Sequence, residues 1–300
     1  MKILIAGGSG FIGKQLCNLL EKDQHEIFIL STQKILCETK KNFIYWNPKE
    51  KLIDPAFSLK NCTIINLAGA GVADKRWTAE RKKEIIDSRI DSLQTLFNAI
   101  EKKQIVTNHL VSASAIGFYG EADKIFTEED KSDASFLSST CQQWEQEAMK
   151  FEQLNCIVSI ARVGIVLGKE GGALKEFLKP LQMGIAGIPA SGKQIYSWIH
   201  ITDVARIFYF LANEKKAGIF NAVAPNPCAI NEIFTALKKY KRTFLTAHAP
   251  EFVLKIMLGE MSIEVLKSCK VSSLKIEQAG FSFLHNDIED CVKSFFLAKS

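Results

Sequence analysis

The run Gly7-Gly8-Ser9-Gly10-Phe11-Ile12-Gly13 has the residue types and spacing to hold a diphosphate. Glycines recur as G-x-x-G-x-x-G at Gly7, Gly10 and Gly13, directly after the apolar run Lys2–Ala6 and before an apolar helical pattern. A diphosphate needs bare backbone N–H groups at a helix N-terminus, and side chains there would block its approach. Gly7 permits the tight turn, Gly10 the close approach, and Gly13 lets the helix lie against the sheet. The loop, with Gly8, Ser9, Phe11 and Ile12, is therefore expected to bind a dinucleotide.

The end of the next strand discriminates between cofactors. A carboxylate about 20 residues past the loop would hold a ribose diol, as in NAD. Leu30-Ser31-Thr32-Gln33-Lys34 stands there instead. Nothing in it repels a 2′-phosphate, Ser31 and Thr32 donate hydrogen bonds, and Lys34 adds charge. NADP(H) is favoured, with NAD(H) as the alternative.

Arg89 stands out by spacing. In the pattern Thr78–Lys102, Ile85, Arg89, Leu93 and Leu96 recur at three- or four-residue intervals, so Arg89 points where its apolar neighbours point. A guanidinium on a buried stripe needs a carboxylate, a phosphate or carbonyls to offset desolvation.

The elements that must position these groups are legible as alternation. Apolar runs at Lys2–Ala6, Glu26–Leu30, Phe43–Trp46, Thr63–Leu67, His109–Ser112 and Val158–Arg162 predict strands. Phe11–Glu21, Thr78–Lys102 and Phe136–Gln153 predict helices. Together they predict an α/β fold: a doubly wound, Rossmann-like parallel sheet with ligands at the carboxyl ends of its strands. Beyond about residue 165 the pattern loosens into glycine-rich turns and helical patterns at Thr202–Asn213, Ile230–Tyr240, Ala249–Lys267 and Asn286–Ala298. The expected division is a dinucleotide-binding domain over 1–165 and a smaller C-terminal lobe over 166–300, the two interleaving where strands return to the sheet.

Further segments carry a resemblance. They are Ile65-Asn66-Leu67-Ala68-Gly69, Arg76-Trp77-Thr78, Ser88-Arg89, Ser112-Ala113-Ser114-Ala115-Ile116-Gly117-Phe118-Tyr119-Gly120, Arg162-Val163-Gly164-Ile165-Val166-Leu167-Gly168 and Ser197-Trp198-Ile199-His200-Ile201-Thr202-Asp203-Val204. With the glycine loop they resemble the extended short-chain dehydrogenase/reductases. More narrowly the chain looks like their atypical "epimerase family" branch, similar to nucleoside-diphosphate-sugar epimerases, over essentially its whole length. Ala249-Pro250-Glu251-Phe252, Leu258-Gly259-Glu260-Met261 and Ala279-Gly280-Phe281 resemble that branch's extra C-terminal segment.

The resemblance implies further cofactor contacts at Leu67, Ala68, Gly69, Glu84, Arg89, Ser112, Arg162 and Val163, and a substrate-side position for His200. It implies Ser114 as the serine that orients a substrate oxygen. The branch often carries Arg at the position of Thr32, which this chain lacks. The usual Tyr-x-x-x-Lys pair is also missing: Thr140 and Trp144 occupy its positions, and neither an aliphatic hydroxyl nor an indole can do that proton transfer. Tyr119 is the first substitute, with Glu145 and His200 as others.

The function these features imply is an NADP(H)-binding oxidoreductase or epimerase-like protein acting on a small molecule, a sugar nucleotide among the candidates. The alternative is a catalytically silent dinucleotide-binding sensor or scaffold. Composition narrows the field: 47% hydrophobic and 24% charged residues exclude wholesale disorder. No run of about 18 apolar residues predicts a membrane span, and the N-terminal apolar run is too short for a signal-peptide core. A cytoplasmic location is expected. A net charge of +5 without a Lys/Arg tract predicts no nucleic-acid partner. The eight cysteines lack C-x-x-C spacing and predict buried thiols rather than disulfides or a metal site.

Overall fold

A computed structural model describes residues 1–297. The first half runs β1 (Lys2–Ala6), α1 (Phe11–Lys22), β2 (Glu26–Ser31), α2 (Lys34–Thr39), β3 (Phe43–Asn47), β4 (Leu52–Ile53), β5 (Leu59–Asn66), α3 (Ala79–Glu101), β6 (Ile105–Ala115), β7 (Ile125–Phe126), α4 (Phe136–Met149) and β8 (Ile157–Val163). The second runs β9 (Ile165–Leu167), α5 (Gly172–Gln182), β10 (Ile185–Pro189), β11 (Ile195–Tyr196), β12 (Trp198–His200), α6 (Ile201–Glu214), β13 (Gly218–Ala222), β14 (Cys228–Ala229), α7 (Ile230–Lys238), β15 (Leu245–Ala249), α8 (Glu251–Leu258), α9 (Ser262–Leu266), β16 (Lys270–Val271), α10 (Leu274–Gln278) and α11 (Ile288–Leu297).

The central sheet has the order β13-β8-β6-β5-β1-β2-β3-β4, parallel except for β4 at its edge. Its middle strands are buried on both faces, which is why they read as continuous apolar runs. On α1 the buried stripe is Gly13, Leu16, Cys17 and Leu20; on α3 it includes Ile85, Arg89, Leu93 and Leu96. Thr78 caps α3 by accepting from Arg81 N–H, and Ser135 caps α4 by accepting from Ser138 N–H. Strand order reverses between β1 and β5, so the crevice at their carboxyl ends is the topological switch point.

The second half returns to the sheet. β13 pairs with β8, and α6 packs on α1. A boundary at residues 165/166 therefore divides the sequence without dividing the sheet. The remaining second-half strands form two-stranded ladders, β10 with β15, β11 with β14, β9 with β12 and β7 with β16. A separate core, including Leu174, Ala186, Trp198, Ile233, Phe234 and Val292, packs β9, β10, β11, β12 and β14 with α5, α7 and α11.

Two helices differ from expectation. The pattern Ala249–Lys267 is broken: Gly259 has φ +62°, so α8 stops and a 3-10 turn intervenes before α9. The pattern Phe136–Gln153 tightens into a 3-10 turn after Met149 and ends at Asn155, in the left-handed region. The last expected helix, Asn286–Ala298, appears as α11; Ala298 lies outside the described residues.

Candidate functional site

At the switch point the glycine loop is held by contact with backbone. Gly7 has φ +81°, and a Cβ there would lie 2.8 Å from the Leu67 carbonyl carbon and oxygen. A Cβ on Gly13 would lie 2.2 Å from the Gly7 oxygen. Gly10 is the N-cap of α1, with extended backbone, no side-chain cap and no acidic residue in the first turn. The first turn of α1 thus adds no anion of its own to the positive end of the helix dipole. Phe11 turns away from the loop: Cβ atoms on Gly168 and Gly171 would meet its ring at 2.6 and 2.7 Å. Ile12 packs against the core, so both offer this corner their backbone only.

The corner opens into a cleft of about 1020 Å³. Gly7, Ser9 and Gly10 line it on one side, and Leu30, Ser31, Thr32 and Gln33 on another. Leu67, Ala68, Gly69, Ala70, Glu84 and Ser88 complete the opposite wall. The Leu67–Ala70 loop is fixed from α3 and β5: Ala68 N–H donates to Asn66 Oδ1 at 3.2 Å, and Ala70 N–H donates to Ser88 Oγ at 2.9 Å. Lys34 is exposed, with its Nζ 5.3 Å from the ring centroid of Tyr45, a cleft residue. Glu84 is engaged with Arg81 at 2.6 Å, and that hydrogen bond holds its carboxyl below the usual range.

Arg89 is buried. Its Nη1 donates to the carbonyls of Ala70 at 3.1 Å and Ile85 at 2.8 Å, and its guanidinium carbon lies 4.8 Å from the Trp144 ring centroid. Burial lowers its pKa to about 10. Trp144 Nε1 is itself buried with no hydrogen-bond partner among the described residues.

Next to this lies a closed polar network. Ser114 Oγ donates to Glu145 Oε1 at 2.6 Å. Arg162 donates to both Glu145 oxygens at 2.8 Å, a bidentate pair, and through Nη1 to Tyr119 Oη at 2.9 Å. Tyr119 in turn donates to Asn221 Oδ1 at 2.7 Å. Burial alone would push the Arg162 guanidinium down, but Glu145 and Tyr119 hold it above its ordinary value. Burial raises the Tyr119 phenol to about 12, against the lowering effect of Arg162.

A model of the NAD dependent epimerase/dehydratase family matches residues 3–222, the segment that holds the cleft and this network. The chain belongs to that family. A second model, a domain of unknown function named DUF1731, matches residues 249–295. An epimerase family protein of Staphylococcus aureus is 36% identical over 97% of this chain and 98% of its own. The human epimerase family protein SDR39U1, solved with NADPH, superposes with a TM-score of 0.85 at 26% identity, covering 98% of this chain and 99% of that one. A nucleoside-diphosphate sugar epimerase of Corynebacterium glutamicum gives a TM-score of 0.75 at 25% identity, covering 99% of this chain and 58% of that one.

Within this epimerase-family chain the expected site residues separate into groups. Gly7, Ser9, Gly10, Ser31, Thr32, Leu67, Ala68, Gly69 and Glu84 share the cleft, and Arg89 stands behind its wall. Ser112 is fully buried in β6, with its hydroxyl donating to the Ala113 carbonyl. Val163 is core, and Arg162 is committed to Glu145. Thr140 gives its hydroxyl to the Phe136 carbonyl at 2.8 Å. Tyr119 has no exposed surface, which places it inside the network rather than on a wall open to substrate.

His200 lies elsewhere. It lines a second cavity, of about 880 Å³, with His285, Ser294, Phe295, Lys169 and the Gly8 side of the loop. Its Nδ1 accepts from Thr202 N–H at 3.0 Å, capping α6. Since Ser294 gives its proton to the Cys291 carbonyl, His200 Nε2–H donates to Ser294 Oγ at 3.2 Å. Burial, then the neighbouring His285, lowers its pKa to about 3, so the ring is neutral. Residues to which the sequence reading gave no site role also matter. Tyr45, Asn47 and Lys49 line the cleft, Asn66 and Ser88 fix its loop, and Asn221 closes the network. The cysteines are free thiols, buried except for half-buried Cys37. No described helix is long and apolar enough to cross a membrane.

Proposed function

We propose that this chain binds NADP(H) in the cleft, with the diphosphate on the amides opening α1. The observation that carries the reading is the corner itself: an α1 N-terminus with no side-chain cap and no acidic residue in its first turn, shaped so that backbone alone can approach. The residues fit the dinucleotide, and the human relative was solved with NADPH. Ser31 and Thr32 on the cleft wall, and Lys34 held over Tyr45, would receive a 2′-phosphate, and β2 ends without a carboxylate to oppose it.

When bound, the nicotinamide supplies or accepts a hydride at C4. Toward a small-molecule substrate, Ser114 is the hydroxyl we assign to orienting an oxygen: its proton goes to Glu145, which fixes its direction and leaves Oγ to accept from a substrate hydroxyl. The name of the Corynebacterium relative supports a sugar nucleotide as the substrate class. Titrating NADPH and NADH while following nicotinamide fluorescence tests the reading. Saturable binding well below millimolar, tighter for NADPH, is expected; binding of neither form abandons it.

Three features favour the silent dinucleotide-binding alternative. Thr140 is bonded to backbone, Trp144 cannot transfer a proton, and the Tyr119 phenol is enclosed. Hydride transfer to a panel of carbonyls and sugar nucleotides, lost in Ser114→Ala, supports an enzyme. Absence of transfer across the panel supports the silent form.

A further inference from the structure

Arg89 differs from the other buried arginines. Arg162 pairs with Glu145, and Arg81 with Glu84 and Asp74. No carboxylate pairs with Arg89 among the described residues; both of its acceptors are neutral carbonyls on one nitrogen, Nη1. Carbonyls and the Trp144 ring face reduce the desolvation cost of a buried guanidinium but leave its charge uncompensated. That charge is aimed by its neighbours. A Cβ on Gly69, in the cleft wall, would lie 3.2 Å from Arg89 Cζ, and Trp144 sits on α4 beside Glu145, the partner of Ser114. Trp144 also occupies the position where a lysine of the missing pair would stand. Helix α3 thus delivers, between the cleft wall and Ser114, a cation that α4 lacks.

We infer that Arg89 is a charge-selecting residue of the dinucleotide site, making it favour the reduced, uncharged nicotinamide over the oxidised, cationic ring. The inference rests on the dinucleotide reading above. The two redox forms share the adenosine and diphosphate and differ by one positive charge at the ring. An unpaired guanidinium in a dry wall separates them by Coulomb repulsion, on the order of tenfold in affinity. By linkage, each tenfold preference for the reduced form raises the potential of the bound couple by about 30 mV.

Isothermal titration of the full chain with NADPH, NADP⁺ and adenosine 2′,5′-bisphosphate tests this, in the wild type, Arg89→Gln and Arg89→Lys. The expected wild type binds NADPH about tenfold more tightly than NADP⁺. Arg89→Gln brings the two affinities together without changing that of the bisphosphate, and Arg89→Lys keeps the preference. A wild type that binds NADP⁺ as tightly as NADPH overturns the inference without recourse to any variant. So does an Arg89→Gln protein that retains the preference, or one in which bisphosphate affinity falls in parallel. Failure of the wild type to bind any of the three instead defeats the dinucleotide reading itself.

Discussion

The glycine corner and the Ser114–Glu145–Arg162–Tyr119–Asn221 network are neighbours built on opposite principles. The corner leaves its donors open. Gly10 caps α1 with nothing, and no anion of the chain lies in the first turn. The network leaves little open: its hydroxyls, guanidinium and carboxylate are satisfied by one another in the interior. Unsatisfied backbone donors at a helix N-terminus gain most when a ligand arrives. A buried network whose protons are already committed gains little from a ligand, here one hydrogen bond accepted by Ser114 Oγ, and loses heavily when a member is removed. The corner should therefore show itself in binding and the network in stability.

The largest effect that could break this contrast lies in the network. Glu145→Ala strands the buried Arg162 charge and should cost about 3–5 kcal/mol of unfolding free energy. Urea denaturation measures it; a loss under about 1 kcal/mol would mean that water reaches Arg162 and the network is not closed. Gly10→Val should do the reverse. It crowds the amides opening α1, where even a Cβ would lie 3.2 Å from the Gly7 oxygen. NADPH affinity should fall at least about a hundredfold, roughly 2.8 kcal/mol. The denaturation midpoint should move little, because the residue is exposed. Affinity retained in this variant would put the phosphates elsewhere.

Tyr119→Phe sharpens the comparison on a smaller scale. It removes one hydrogen bond to a charged guanidinium and one to Asn221 while keeping the ring stacked on Phe126, 5.1 Å between centroids. A loss of about 1.5–3 kcal/mol is expected, with NADPH affinity unchanged. A drop in affinity instead would place the phenol at the cofactor.

How much of this was readable in advance follows the same division. The corner is local: strand, glycines and helix fall within residues 2–22, and their spacing states their purpose. β1 is bounded where the apolar run is, and Arg89 lies on the stripe its period assigns. The network is assembled across the sheet. Tyr119 and Asn221 are 102 residues apart, and β13 returns to pair with β8 only after α5, the β9–β12 ladder and α6 have intervened. No spacing in the chain encodes that meeting. His200 shows a related limit: its segment suggested a site, but ring orientation depends on α11, which supplies Ser294 and Phe295. Tyr45 falls inside the expected strand Phe43–Trp46 and Lys49 beyond it carried no signal; parallel pairing of β3 with β2 brings both to the cleft.

The smallest effect concerns His200, which belongs to neither region. Its pKa is about 3 in the folded protein against 6.5 for the ordinary group. The unfolded chain therefore binds more protons between those values, and stability rises with pH through that window. Its contribution is complete above about pH 6.5 and is lost as pH falls toward 3. Between pH 7.5 and 6 the loss is on the order of 1 kcal/mol. His109, lowered to about 4 by burial, acts in the same direction and sets a background slope. His200→Asn keeps a side-chain acceptor for Thr202 N–H at the N-cap of α6 but does not titrate. Thermal melts at pH 7.5 and 6 should lie closer together in this variant than in the wild type. An identical separation would mean that the ring is already protonated, or open to water, in the folded chain.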